Sequence, residues 1–236
     1  MVIRGVVFDI DDTLYDERDY VRSGFSAVAR VVARSDDEAT TLADWLWTGF
    51  ENGVRADAFD RLRAAFPDVA ARVSTADLVD AYRRHRPSIA LAPGAAETLD
   101  RLGSLGQRLG ILTDGPVDSQ AAKVAALGLA RWCEPIIMTD EHDASFAKPG
   151  TAGFASIARA WGLLAAELVY VADNPAKDFY GPRRLGWKTV RVVHPRQVRG
   201  QPETADDRFR ADVEIDDLTR LLSELSLDDR SRPVVR

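Results

Sequence analysis

A handful of short apolar runs, each closed by a polar or turn-forming residue, restrict this chain more than any other feature. Four are rich in β-branched residues: 3–8, 108–112, 168–171 and 189–193. Nearly continuous apolar character over so few residues is how a strand reads when both faces of a parallel sheet are covered. Residues 135–138 and 212–215 add a fifth and a sixth candidate strand. Between the runs lie stretches with a period near 3.6, at 95–105, 117–127, 151–161 and 218–225. Gly106, Gly128 and Gly162 fall where helices end in a left-handed residue. Strand and helix in alternation predict an α/β fold, a doubly wound and mainly parallel sheet.

The alternation stops once. From about 19 to 86 the pattern is helical throughout, with amphipathic segments at 21–33, 38–50, 56–66 and 75–84. Pro87 and Pro93-Gly94 then mark the return to the main pattern. The expected organisation is therefore an α/β core from 1–18 and 88–228, an all-helical cap inserted at 19–87, and a flexible tail at 229–236.

Composition narrows the functional classes. With 236 residues, 46% of them hydrophobic, the chain can bury a sizeable core. Its formal net charge of -6 gives no reason to expect a nucleic-acid or membrane partner. Cys133 is the single cysteine, so no internal disulfide forms, and beside Trp132 it reads as an inert buried thiol. No apolar stretch is long enough to cross a bilayer, and the first residues lack the pattern of a signal peptide. A cytoplasmic location is the expectation; oligomeric state is not readable.

Chemistry concentrates at strand ends. The first strand closes with Asp9-Ile10-Asp11-Asp12-Thr13. Residues two apart on an extended chain share a side, so Asp9 and Asp11 can face one site. Ligands in open α/β sheets bind beyond the carboxyl ends of strands, where this pair falls. The same tripeptide Asp-Asp-Thr also suits a turn that caps the next helix. Leu112-Thr113-Asp114-Gly115 puts a hydroxyl and a small turn at the same edge, ahead of a helix beginning near Pro116, a suitable cradle for phosphate oxygens. Lys148-Pro149 reads as the opening of a helix, with a lysine able to neutralise a bound anion. The run at 168–171 leads into Asp173 and Asp178. Asp9, Asp11, Asp173 and Asp178 gathered in one place repel by about 4 kcal/mol per close pair, so they call for a cation. Oxygen ligands suit Mg2+, and His85, His142 and His194 show no zinc-like spacing.

These ordered elements resemble the motifs of the haloacid dehalogenase-like hydrolase superfamily, in its helical-cap phosphatase subgroup. The resemblance covers roughly 1–18 and 88–225 and includes the place of the insertion. It implies that Asp9 is a nucleophile that forms an aspartyl phosphate, and that Asp11 is the general acid and then the base for water. Thr113, with Asp114 and Gly115 after it, would bind the phosphoryl group, and Lys148 would balance its charge. Mg2+ would be held by Asp9, Asp173 and the backbone carbonyl of Asp11. Asp178 would act on the metal's waters or position Lys148. One departure from the family pattern is Ala172, where a glycine commonly precedes the metal-binding aspartate. Asp11 also sets the chain apart from the dehalogenase branch, which lacks an acid there. A raised pKa is expected for Asp11, because an acid must carry its proton.

The implied reaction is hydrolysis of a small phosphorylated metabolite: a sugar phosphate, a nucleotide monophosphate or a phosphoglycolate-like acid. A phosphomutase on the same scaffold remains an alternative, as does a phospho-accepting or interaction domain without turnover. Tyr15, Asp16, Glu17 and Arg18, at the entry to the cap, are candidate substrate contacts, although for any single one of them linker and helix-start chemistry is the better explanation. Arg83-Arg84-His85-Arg86 reads as cations at a helix C-terminus rather than an anion clamp. Trp45 and Trp47 read as cap packing.

Overall fold

The computed structural model describes residues 2–198 and 206–227. The expected tail at 229–236 lies outside them. Six parallel strands form one sheet: β1 (Gly5–Phe8), β2 (Arg108–Thr113), β3 (Ile136–Met138), β4 (Leu168–Ala172), β5 (Lys188–Val192) and β6 (Val213–Ile215). All six apolar runs are strands. The spatial order is β3-β2-β1-β4-β5-β6. The chain builds outward from β1 in one direction and returns to its other side for β4. A cleft opens at such a reversal, beyond the carboxyl ends of the two strands that flank it. Here those strands are β1 and β4, and the residues that follow them are Asp9 and Asp173.

Side-chain alternation divides the strands between two cores. Val6, Phe8, Ile111, Val169, Val171 and Val190 pack with α6 (Ala95–Ser104) and with Leu127, which ends α7 (Val117–Leu127). Val7, Leu112, Leu168 and Tyr170 face the other way, against Phe154, Ile157 and Trp161 of α8 (Ala152–Trp161). Each helix stops where a glycine takes a left-handed turn: φ is +64° at Gly128 and +63° at Gly162. Two expectations need correction. Lys148-Pro149 does not open α8; it lies in a turn with a cis peptide bond, and the helix starts at Ala152. The periodic stretch 218–225 is broken into a 3-10 turn, Leu218–Arg220, and one short helix, Leu221–Glu224.

Between β1 and α6 the chain is helical: α1 (Glu17–Val32), α2 (Asp36–Glu51), α3 (Ala58–Ala65), α4 (Pro67–Ala70) and α5 (Thr75–Arg84). Local chemistry sets the starts. Asp16 accepts the amide of Arg18, Ser35 that of Glu38, and Ser74 with Asp77 forms a reciprocal capping box. The short α4, with Pro67 in its first turn, carries no periodic signal of its own. These helices enclose a separate apolar cluster that includes Phe25, Val28, Leu42, Leu46, Leu62 and Leu78. Gly24 lets α1 meet α5 closely, since a Cβ there would lie 2.3 Å from the ring of Tyr82.

Candidate active site

The carboxyl ends of β1 and β4 hold a buried charge cluster. Asp9 donates its amide to the carbonyl of Val171 (2.9 Å), which locks the residue beside β4. Lys148, fully buried, brings its Nζ to 2.9 Å from Asp9 Oδ2 and 2.7 Å from Asp178 Oδ1. The same Nζ donates to the Tyr170 hydroxyl (3.0 Å), which itself donates to the carbonyl of Leu112. Asp178 also accepts the amide of Asn174 (2.9 Å), so the loop after β4 is folded around this carboxylate.

Oxygens of Asp9, Asp173 and Asp178 lie within 4.8 Å of one another. Three negative charges that close repel by roughly 3 kcal/mol per pair, and one lysine answers them. Burial, then the charges of Asp178 and Asp9, push Asp173 up to about 9. Burial also raises Asp178, against the pull of Lys148. Lys148 is held well above its usual range because Asp178 and Asp9 outweigh the cost of burying its charge. Asp9 Oδ1 is buried without a hydrogen-bond partner. Such an oxygen, beside a carboxylate unable to hold its charge at neutral pH, suits a hard divalent cation. Asp9, Asp173 and Asp178 are the carboxylates that could hold such a cation.

Asp11 faces a different set of partners. Lys123 Nζ reaches both of its oxygens (2.7 and 2.9 Å), the Tyr15 hydroxyl donates to Oδ1 (2.5 Å), and Gln120 Nε2 donates to Oδ2 (3.3 Å). Burial raises the pKa of Asp11, but Lys123 together with the Tyr15 and Gln120 bonds outweighs it, and the net shift is downward. The expected upward shift is therefore not found in the resting site, because a buried cation shares the carboxylate. Asp12 turns away, with φ at +49°. It accepts the amides of Glu17 (2.9 Å) and Val198 (2.7 Å), so for this residue the capping reading is the right one.

Thr113 ends β2, fully buried, and accepts a hydrogen bond from Gln120 Nε2 (2.5 Å). The Asp114 carboxylate fastens three segments: Oδ1 accepts from the Thr139 hydroxyl (2.8 Å) and the Lys148 amide (3.2 Å), and Oδ2 pairs with Lys177 (3.1 Å). Burial raises its pKa, and Lys148 and Lys177 pull it below the usual carboxylate range. Its side chain thus belongs to the scaffold. Gly115, with φ at +131°, carries the chain from there past Gln120 into α7.

These groups open onto a cavity of about 550 Å³. Asp9, Asp11, Asp173, Asp114, Gly115 and Gln120 form its sheet side, and Glu17, Tyr20, Ala56, Tyr82 and Arg83 form the helical side. Of the candidate contacts at the cap entry, Glu17 lines the cavity. Tyr15 is buried and spends its hydroxyl on Asp11. Asp16 caps α1. Arg18 does not line the cavity; it pairs with Glu51 (2.9 Å) and lies over the rings of Trp47 and Phe50. Trp45 and Trp47 pack against Phe66 and Phe50, as expected of cap residues.

Three site residues escape a reading of the sequence. Tyr170 sits in an apolar strand and reads as core. Gln120 and Lys123 sit on α7, where polar residues three apart read as a solvated stripe. The one available signal was that this stripe follows directly on the Thr113-Asp114-Gly115 turn.

Known proteins similar to this chain share its family and fold. The family model described as haloacid dehalogenase-like hydrolase matches residues 3–186. A glyceraldehyde 3-phosphate phosphatase of Methanocaldococcus jannaschii is 26% identical over 229 residues, 94% of this chain and 96% of that one. One from Methanopyrus kandleri is 28% identical, covering 96% of this chain and the whole of the other. Among solved structures, a magnesium-bound HAD hydrolase from Bacillus subtilis superposes with a TM-score of 0.67 at 20% identity, over 95% of this chain and 99% of that one. At that identity the likeness speaks to the fold alone.

Proposed function

The chain belongs to the haloacid dehalogenase-like hydrolase family, and from that premise we propose that it is a Mg2+-dependent phosphatase of small phosphorylated metabolites with Asp9 as its nucleophile. The observation that carries this reading is the buried Lys148 shared between Asp9 and Asp178, beside an Asp9 oxygen with no protein partner. A carboxylate so placed, at the reversal point of the sheet, is fixed in direction and screened from water.

In the first step an Asp9 oxygen bonds to phosphorus and the bond from phosphorus to the leaving alcohol breaks. Asp11 gives the alcohol its proton. In the second, Asp11 takes a proton from water as the water oxygen bonds to phosphorus, and the Asp9–phosphorus bond breaks to release phosphate. Dividing one hydrolysis into two transfers lowers each barrier. To act as an acid Asp11 must gain a proton, and an arriving phosphate favours this by opposing the pull of Lys123. Tyr15, Gln120 and Lys123 keep the carboxyl aimed meanwhile. Thr113 and the turn through Gly115 receive phosphoryl oxygens, and Lys148 neutralises charge on them and on Asp9. Asp9 and Asp173 would hold Mg2+, which when bound would supply positive charge to the same oxygens. The helical segment acts as a cap that closes the cavity and contacts the leaving group.

The test is phosphate release from p-nitrophenyl phosphate and a panel of phosphorylated metabolites, with Mg2+ or a chelator. Release should require Mg2+ and fall at least about a thousandfold in Asp9→Asn, which keeps the size of the side chain and removes the nucleophile. Equal turnover in Asp9→Asn would end the reading, and so would release that persists in the chelator.

A further inference from the structure

Three oxygens converge on one side-chain nitrogen beside the cavity. Gln120 Nε2 lies 2.5 Å from Thr113 Oγ1, 3.1 Å from the carbonyl oxygen of Asp114 and 3.3 Å from Asp11 Oδ2. Gln120 lines the cavity but is only 1% exposed. The turn through Gly115 folds directly over it, since a Cβ on Gly115 would stand 3.6 Å from Gln120 Cδ. Its backbone is fixed too: the amide donates to the carbonyl of Pro116 (3.0 Å) in the first turn of α7.

Chemistry decides which end of the carboxamide faces these partners. A peptide carbonyl can only accept a hydrogen bond, and so can a carboxylate that is paired with Lys123. The amide oxygen in that place would oppose both, so the NH2 group is the end that points there. An amide nitrogen has no lone pair to offer. Thr113 Oγ1 therefore accepts from it, and the hydroxyl's own hydrogen is directed away from Gln120. That hydrogen is left for a second acceptor. Phosphoryl oxygens are acceptors and nothing else, so a threonine that meets one must donate. A hydroxyl free to rotate would turn a lone pair toward the phosphoryl group in part of its orientations. The reach to Asp11 is longer and is shared with Lys123 and Tyr15, so Thr113 is the partner that depends most on Gln120.

We propose that Gln120 is a positioning residue for phosphoryl transfer, whose NH2 group presets the Thr113 hydroxyl as a donor to the phosphoryl oxygens. This rests on the phosphatase reading above, in which Thr113 receives the phosphoryl group. Gln120 acts through that hydroxyl, and its effect belongs to the transferring group whatever alcohol leaves.

The experiment is a double-mutant cycle on kcat and KM for p-nitrophenyl phosphate, with wild type, Gln120→Met, Thr113→Val and the pair. Methionine keeps the length of the side chain and removes the donor. Gln120→Met should lower kcat about tenfold, the worth of one well-directed hydrogen bond, and change KM by less than about threefold. Thr113→Val should cost about a hundredfold, as for a lost donor to developing charge. Once the hydroxyl is gone, adding Gln120→Met should cost less than about twofold more. Gln120→Glu, nearly identical in shape, gives a second cycle if Gln120→Met fails to fold. Its carboxylate takes the Thr113 hydrogen for itself, so its loss should be at least about tenfold greater with Thr113 than with Val at that position. Equal losses in the two backgrounds, or full activity in Gln120→Met, overturn the proposal and leave the phosphatase reading standing. A wild type that releases no phosphate overturns both.

Discussion

Asp11 and Asp12 are adjacent and chemically identical, yet one faces the cavity and the other fastens the chain. The difference is backbone direction: a left-handed turn at Asp12 sends its carboxylate toward the amides of Glu17 and Val198. Alternation along a strand was enough to pair Asp9 with Asp11, and spacing along the chain was enough to single out Lys148 and Asp173. What surrounds those residues was not legible. Lys123 lies 112 positions from Asp11, and no local pattern distinguishes a lysine that meets a buried carboxylate from one that meets water. Asp173 offers a test at this scale. Burial and its acidic neighbours hold its folded pKa near 9, far above the ordinary 3.8. The folded state then keeps a proton that the unfolded chain gives up above pH 4, so the metal-free protein loses stability as pH rises toward 9, by up to about 1.4 kcal/mol per pH unit. Melts in chelator should show wild type losing ground to Asp173→Asn between pH 5 and 8. Mg2+ should then raise the wild-type Tm more at pH 8 than at pH 5, and leave Asp173→Asn nearly unmoved. A pH-independent difference between the two proteins would mean that Asp173 ionises without help.

At the level of elements, apolar runs and capping residues mark nearly every strand and helix in the sequence. The two failures share a cause. In the turn before α8, the Asp114 carboxylate captures the Lys148 amide, a contact from 34 residues away that overrides the helix-starting habit of proline. At 218–225 the Asp217 side chain accepts the Thr219 amide and starts a tighter turn than the period suggests. The junction of α1 with α5 likewise depends on a residue whose local preference is misleading. Gly24 is a poor helix former, and alanine there should gain about 1 kcal/mol of propensity. The added methyl would meet the ring of Tyr82, itself packed against Tyr20, Phe25 and Phe59. Crowding of that kind costs about 1–3 kcal/mol. Gly24→Ala should therefore destabilise the wild type by up to about 2 kcal/mol, and stabilise a Tyr82→Leu background. Denaturant melts of the four proteins in this cycle measure the coupling directly; the same sign in both backgrounds would refute the crowding argument.

At the scale of the molecule, the helical segment and the sheet carry separate apolar clusters, and contacts of polar side chains join them beside the site: Lys123 to the ring of Tyr20, Ser119 to Arg83, and Arg84 to Asp118. The position of β1 has a consequence in time. It is made long before its two neighbours, which begin at residues 108 and 168. Contacts so distant in sequence form slowly, whereas those among α1, α2 and α5 span far fewer residues. During synthesis the helical segment should therefore gather before the sheet closes, while Asp9 waits on an unpaired edge until β4 has left the ribosome. Pulsed hydrogen exchange during refolding should find the amides of α1 and α2 protected before those of β1. The residue on which catalysis is proposed to depend is thus made well before it is enclosed, so a chain that stops short of β4 would carry Asp9 without the partners that arm it.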